Sequence, residues 1–197
     1  MKKLLIIFII ASLISLLIYK ATINNQKNLV VLGDSYCEGI TMYGGKIKNF
    51  NNLLKDYFKN KDILKNYNDN YCKKNTSISD LKLLLDKNKT INKKSILNII
   101  NQADYITISL GNDELKRLSY ITRNDINSKL NEYKEILDII IKNSKAMVFV
   151  IGVDDSNNNI LKEFNKRLNK LCQNKSYFFI QFNDNNRYIF DTILKNI

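Results

Sequence analysis

The chain has no histidine, no proline, no tryptophan and only six glycines in 197 residues. Without an imidazole, no mechanism confined to this chain can use histidine as a proton acceptor or a metal ligand. The missing proline and scarce glycine exclude collagen-like and low-complexity chains, and argue against turn-dense all-β folds. Cysteine is nearly as rare. Cys37, Cys72 and Cys172 match no metal-ligand spacing, and an odd number leaves at least one thiol over in any pairing scheme. Neither a metal site nor a disulfide framework is expected, no cofactor motif is present, and the sequence leaves open whether Cys72 and Cys172 meet. Arginine is also sparse, with 4 residues against 27 lysines. Base reading and phosphate clamping favour arginine's planar fork, so the net charge of +12 does not by itself mark a nucleic-acid binder. Lysine, asparagine and isoleucine make up 86 residues, all from A/T-rich codons, which accounts for much of the lysine excess. What the charge does imply is attraction to anionic envelope polymers or lipid head groups.

What is present suffices for one domain with a real core: 45% of residues are apolar and 25% charged. The N-terminus stands apart. Met1-Lys2-Lys3 precedes an apolar run from Leu4 to Tyr19, broken only by Ser12 and Ser15 and closed by Lys20. Its length as a helix is about 24 Å, between a signal peptide's apolar core and a full bilayer crossing. No small-x-small cleavage site follows and no cysteine stands nearby to accept lipid, so residues 1–20 read as an uncleaved anchor rather than a cleaved signal. Lys2 and Lys3 would remain in the cytoplasm, placing the remainder outside it at the cell membrane. Residues 21–27 then form a polar tether, and 28–197 the domain.

In that domain short apolar runs alternate with stretches of helical period. Strands are expected at Leu29–Leu32, Ile63–Tyr67, Tyr105–Leu110, Met147–Ile151 and Tyr177–Phe182. Helices are expected over Lys46–Lys59, from Ser77 to Leu85, Lys93–Gln102, Asp125–Lys142, Asn159–Cys172 and Tyr188–Ile197. Ser77 with Asp80 reads as a capping pair opening the second of these. Strands alternating with helices predict a three-layer α/β/α domain on a five-stranded parallel sheet in the flavodoxin-like order 2-1-3-4-5. In that order the carboxyl ends of strands one and three meet at the switch point where ligands bind.

Those two ends carry the unusual residues. Strand one leads into Gly33-Asp34-Ser35, and strand three into Gly111-Asn112-Asp113-Glu114. A serine on a tight strand-to-helix turn is open to substrate, and neighbouring backbone N–H groups can hold a developing oxyanion. Gly-Asp-Ser alone is equally at home as an ordinary turn and helix cap. Taken with the rest, the chain resembles the SGNH/GDSL hydrolase family over Leu29 to Ile197. Gly33-Asp34-Ser35, with Gly39 and Thr41 downstream, is similar to its first block. Asn70 and Asn75, continuing through Ser77, Asp80 and Leu81, resemble its second, with Asn75 where the family has an oxyanion glycine. Asparagine tolerates positive φ better than most residues, and its N–H remains a donor. Gly111-Asn112-Asp113-Glu114 resembles the third block. Read without a gap, Asp113 takes the oxyanion-asparagine position; with one deletion, Asn112 does. Asn112 is preferred, because a carboxylate would repel an oxyanion.

The resemblance implies a serine esterase or deacylase acting on acyl esters of envelope glycans or lipids. Ser35 would be the nucleophile, with Ser35 N–H, Asn75 N–H and the Asn112 side chain as oxyanion donors. The departure is the fourth block, where the family has Asp-x-x-His. Here Asp184 and Arg187 stand at that separation, and arginine cannot accept a proton near neutral pH. Asp184 is the one positional candidate for an acid/base remnant. As a lone carboxylate it is a weak base unless burial raises its pKa, and a lysine of lowered pKa is not marked by position. Cys37 reads as a small buried apolar side chain rather than a second nucleophile. Asp154-Asp155-Ser156-Asn157-Asn158-Asn159 lacks the spacing of a calcium loop. Two functions are therefore expected to compete: a membrane-anchored esterase, and a catalytically silent protein of the same fold that binds a glycan, an acyl ester or a partner at the envelope.

Overall fold

The computed structural model describes residues 10, 12–15, 25–40, 45–117, 121–156, 158–173 and 177–197. The predicted anchor over 1–20 lies almost wholly outside the described residues, as does most of the tether. Among the described residues no helix is long and apolar enough to cross a membrane.

The described residues form seven strands, β1 (Lys27–Gly33), β2 (Leu64–Cys72), β3 (Thr90–Ile91), β4 (Lys94–Ser95), β5 (Tyr105–Ser109), β6 (Met147–Ile151) and β7 (Phe178–Ile180). The main sheet runs β2-β1-β5-β6-β7, every neighbouring pair parallel. This is the expected five-stranded order. Its cause is visible along β1, where Val30 and Leu32 enter one apolar cluster and Leu29 and Val31 the other. Side chains alternate across a strand, so a run apolar at every position can only be satisfied with layers on both faces. One face is covered by α3 (Ile78–Asp86), α4 (Ile96–Asn101), α6 (Arg123–Asn143) and α7 (Asn159–Gln173). The other is covered by α2 (Phe50–Asn60) and α8 (Asn186–Leu194). Each fully buried Leu, Ile or Phe contributes about 1.5–3 kcal/mol, and dozens do so here.

Among the boundaries that differ from expectation, three have an identifiable local reason. The helix expected from Lys46 begins at Phe50 because Asn49 caps it, accepting from Asn52 N–H while Asn52 accepts from Asn49 N–H. The second strand runs on to Cys72. It is an edge strand, most of it half-buried or exposed, which leaves room for its polar Asn66, Asn68 and Asn70. The helix expected from Lys93 starts at Ile96: Asn92 and Lys93 both have positive φ, at 51° and 64°, forming the two-residue turn of a β3–β4 hairpin.

The cysteines require a correction. Cys37 and Cys72 form a disulfide, while Cys172 is buried and free, so the open pairing of Cys72 with Cys172 does not occur. Cys37 lies in α1 (Ser35–Glu38), the helix that opens at the Gly-Asp-Ser turn, and Cys72 ends β2. The bond therefore ties that turn to the loop carrying Asn75. Closing a loop across a sequence separation of 35 restricts the unfolded chain. Full reduction of the disulfide should destabilise the domain by roughly 2–3 kcal/mol, read as a lower Tm. An unchanged Tm, with thiol titration proving reduction, would contradict this.

Candidate active site

The site begins with two turns brought side by side by the β1–β5 pairing, Gly33 opposite Ser109. A Cβ on Gly33 would stand 1.9 Å from the Ser109 carbonyl oxygen, so glycine is required there by packing. The next residue, Asp34, donates its N–H to that same carbonyl and caps α1, its carboxylate accepting from Tyr36 N–H at 3.1 Å. Behind α1, Asn49 and Asn51 donate side-chain N–H groups to the Cys37 carbonyl. Gly39 closes the helix in the left-handed conformation, at φ 77°. A four-residue helix has little stability of its own. Here side chains and the disulfide hold it at both ends, and Ser35 with it.

Opposite Ser35 stands α5 (Asn112–Arg117), a short helix absent from the sequence-based expectation. Asp113, in its first turn, points its carboxylate directly at the serine. The Ser35 hydroxyl donates to Asp113 Oδ1. Asp113 Oδ2 accepts from Ser35 N–H at 3.0 Å and from Asn75 N–H at 2.8 Å. Asn75 sits at φ 68°, a left-handed conformation that asparagine tolerates better than most residues. Both backbone donors assigned by resemblance to an oxyanion thus converge beside Ser35, and a carboxylate of the chain itself is bound between them. Arg117 adds a guanidinium that donates to the Asn75 side-chain oxygen.

The sequence favours Asn112 for this position; in the structure it is the Asp113 carboxylate that contacts Ser35. Asn112 lines the same cavity, but its Oδ1 accepts from Asp154 N–H at 2.9 Å, while its buried Nδ2 has no partner among the described residues. Asp113 touches the serine. A carboxylate here would repel an external oxyanion, but the donors await none: Asp113 is itself the anion they hold.

The two aspartates are coupled. Asp34 is fully buried and pushed up to about 7 by that burial, with the nearby Asp113 charge adding to the effect. Its other oxygen accepts from Asp113 N–H at 3.2 Å. Asp113 is partly buried, which acts to raise its pKa. The Ser35 hydroxyl, the Asn75 and Ser35 N–H groups and the Arg117 charge outweigh that, holding it below the ordinary carboxylate value. A carboxylate so stabilised is a poor proton acceptor.

These groups open into a cavity of about 910 Å³. Ile40, Ile47, Leu115, Ile121 and Leu161 supply apolar surface, and Phe182 packs in a tilted ring contact, centroids 4.8 Å apart, on Tyr36, whose hydroxyl donates to the Asn183 carbonyl. Lys116 pairs with Asp154 at 2.7 Å. Asp184 is an exposed lining residue; the Ser35 hydroxyl donates to Asp113 and not to it. Arg187, its partner in the fourth-block spacing, turns away to Asp191 at 3.1 Å. The four residues singled out from sequence, Ser35, Asn75, Asn112 and Asp184, therefore line one cavity. Asp113 and Arg117 join them. The ungapped reading of the third block was the signal for Asp113, whereas nothing in the sequence marked Arg117.

No protein-family model and no curated protein matches the chain. Solved structures do. An esterase, EstA, from Pseudoalteromonas sp., inhibited by monoethylphosphonate, is 13% identical, with 80% of this chain and 78% of that one covered and a TM-score of 0.57. An acetyl xylan esterase, AlAXEase, is 16% identical over 86% of this chain and 82% of its own, with a TM-score of 0.58. A carbohydrate esterase whose active site is described as having divergent catalytic and non-catalytic binding functions is 14% identical. There 86% of this chain and 64% of that one are covered, with a TM-score of 0.55.

Proposed function

We propose that this chain, which carries the SGNH/GDSL hydrolase fold, is a catalytically silent member of that architecture that binds an acyl-ester or glycan ligand of the cell envelope in its switch-point cleft. The observation that carries this reading is the Asp113 carboxylate, held by Ser35 N–H, Asn75 N–H and the Ser35 hydroxyl, in a chain with no histidine. Acyl transfer through Ser35 needs a base to take the hydroxyl proton and free donors to receive the oxyanion. Here the donors already hold a negative charge, and a second negative charge arriving there would be repelled. The cleft remains large enough for a ligand, with apolar walls and polar groups at its floor. The neighbour with a non-catalytic binding function is consistent with such use of this fold.

The cell-surface placement belongs to the same proposal. Residues 4–19 would hold the chain in the cytoplasmic membrane with the domain outside. The Cys37–Cys72 disulfide supports an oxidising compartment, where such bonds persist.

A working esterase is favoured by one contact, the direct donation of the Ser35 hydroxyl to Asp113, along which a proton would leave. The two readings separate on exposure of the full chain, beside Ser35→Ala, to a fluorophosphonate probe. The silent reading expects no labelling of either protein. Stoichiometric labelling lost in Ser35→Ala would overturn it in favour of the esterase.

A further inference from the structure

The domain's lysines are unevenly placed, and the sheet's polarity shows where. In a parallel α/β sheet the strands begin, and the helices between them end, on the face opposite the switch-point cleft. On that face lie Lys59 and Lys61 at the end of α2, Lys65 entering β2, Lys142 in the last turn of α6, Lys145 between α6 and β6, Lys170 in the last turn of α7 and Lys195 after α8. All seven are exposed. The acidic side chains at this end are Asp62, Asp104, Asp86 closing α3 and, a turn inside their helices, Asp138 and Asp191; Asp86 is paired with Lys82 at 2.6 Å and Asp191 with Arg187 at 3.1 Å. Asp104 is held by Lys27 at 3.6 Å, and by Asn28 N–H at 2.8 Å. Around the cleft, by contrast, Lys74, Lys116 and Arg117 are balanced by Asp113, Asp154 and Asp184. Helix dipoles favour a cation in a last turn, which accounts for Lys59, Lys142 and Lys170. They do not account for Lys61, Lys65 or Lys145, which lie in loops and a strand entry.

The chain enters the domain on this same face, since β1 begins at Lys27. We propose that this lysine-rich base is a membrane-facing surface that rests on anionic lipid head groups, leaving the ligand cleft directed away from the bilayer. The inference rests on the anchoring of residues 4–19 proposed above. If they are embedded, the seven residues from Lys20 to Gln26 reach at most about 24 Å when fully extended, so the base is held close to the lipid surface. Charges that close to an anionic bilayer fall within reach of its screened potential, about 8–10 Å at physiological salt, once the tether is less than fully extended. That proximity favours lipid over a dissolved polyanion as the partner.

The test is amine acetylation of the full chain in vesicles of phosphatidylcholine or phosphatidylglycerol, read lysine by lysine by mass spectrometry. In phosphatidylglycerol, Lys59, Lys61, Lys142 and Lys145 should react about fivefold more slowly than in phosphatidylcholine, with Lys73 and Lys74 by the cleft unchanged. Charge reversal of those four, Lys59→Glu, Lys61→Glu, Lys142→Glu and Lys145→Glu, should abolish the difference at Lys65 and Lys195. Equal reactivity in both lipids, or protection at Lys73 and Lys74 instead, would overturn the proposal. So would protection produced in phosphatidylcholine by added poly(glycerol phosphate) but not by phosphatidylglycerol. Flotation separates the two readings. A chain that fails to float with phosphatidylcholine, yet floats with phosphatidylglycerol in a salt-sensitive way with the base protected, refutes the anchor and keeps the base. A chain that floats with neither refutes both.

Discussion

Replacing Asp113 with alanine is expected to lower the stability of the domain by about 3–4 kcal/mol near pH 7, and to create a binding site for small anions where the native chain has none. Three donors, the Ser35 hydroxyl, Ser35 N–H and Asn75 N–H, share this one carboxylate. Hydrogen bonds to a charged acceptor contribute about 1.5–3 kcal/mol each when buried. The site is half-open to water, which reduces the sum to the figure given. The donors stay in place without the carboxylate, because β1, the capped α1 and the disulfide fix Ser35, and the left-handed Asn75 is fixed by the loop after β2. The emptied cradle should therefore accept acetate or phosphate. At a hundredfold excess over Kd, binding to the native state adds about 2.7 kcal/mol, so most of the lost stability should return in Asp113→Ala and none should be gained by the native chain. Urea unfolding with and without acetate, at constant ionic strength, measures this. Equal stability of the two proteins, or equal stabilisation of both by acetate, would show that Asp113 does not fill an anion site.

How much of this was legible beforehand depended on whether a residue's place is set by its own neighbours or by a distant contact. The core strands announced themselves because burial on both faces demands unbroken apolar runs, as in Leu29–Leu32 and Met147–Ile151. Strand β2 was only half visible, because an edge strand that is largely half-buried or exposed can be built from asparagine and tyrosine. The convergence of Ser35 with Asn75 followed from strand order. The choice between Asn112 and Asp113 did not, since it turns on a single-residue shift at the start of a six-residue helix. The same strand order holds the clue to the Cys37–Cys72 bond: β1 and β2 are neighbours, with Gly33 paired to Cys72, so a cysteine just after β1 falls beside one ending β2. An odd cysteine count obscured it. Burial of Asp34 was likewise hidden, because Gly-Asp-Ser reads as a surface turn until the layers above it are known.

That buried carboxylate governs the second large effect. The stability of the native chain should fall by as much as about 4 kcal/mol as pH rises from about 4 to about 7, and the fall should be absent in Asp34→Asn. The folded state holds Asp34 at about 7 against an ordinary 3.8 in the unfolded chain. A raised acid pKa means that the folded state keeps its proton where the unfolded state has released it. The contribution is therefore complete below about 4 and lost as pH climbs through about 7, at about 1.4 kcal/mol per pH unit. No histidine titrates in that window. The other shifted aspartates, Asp56, Asp80, Asp113, Asp125 and Asp154, lie below their ordinary value and act on the acid side of it. The fall toward pH 7 is therefore assigned to Asp34, the carboxylate raised to about 7. In Asp34→Asn the amide keeps one accepting oxygen for the two N–H groups of Tyr36 and Asp113, so the variant should be less stable than the native chain at pH 5. It carries no buried charge at pH 8, so there the gap should close or reverse. Urea unfolding across this range decides the matter. A flat native profile, or the same slope in both proteins, would place the titrating group elsewhere.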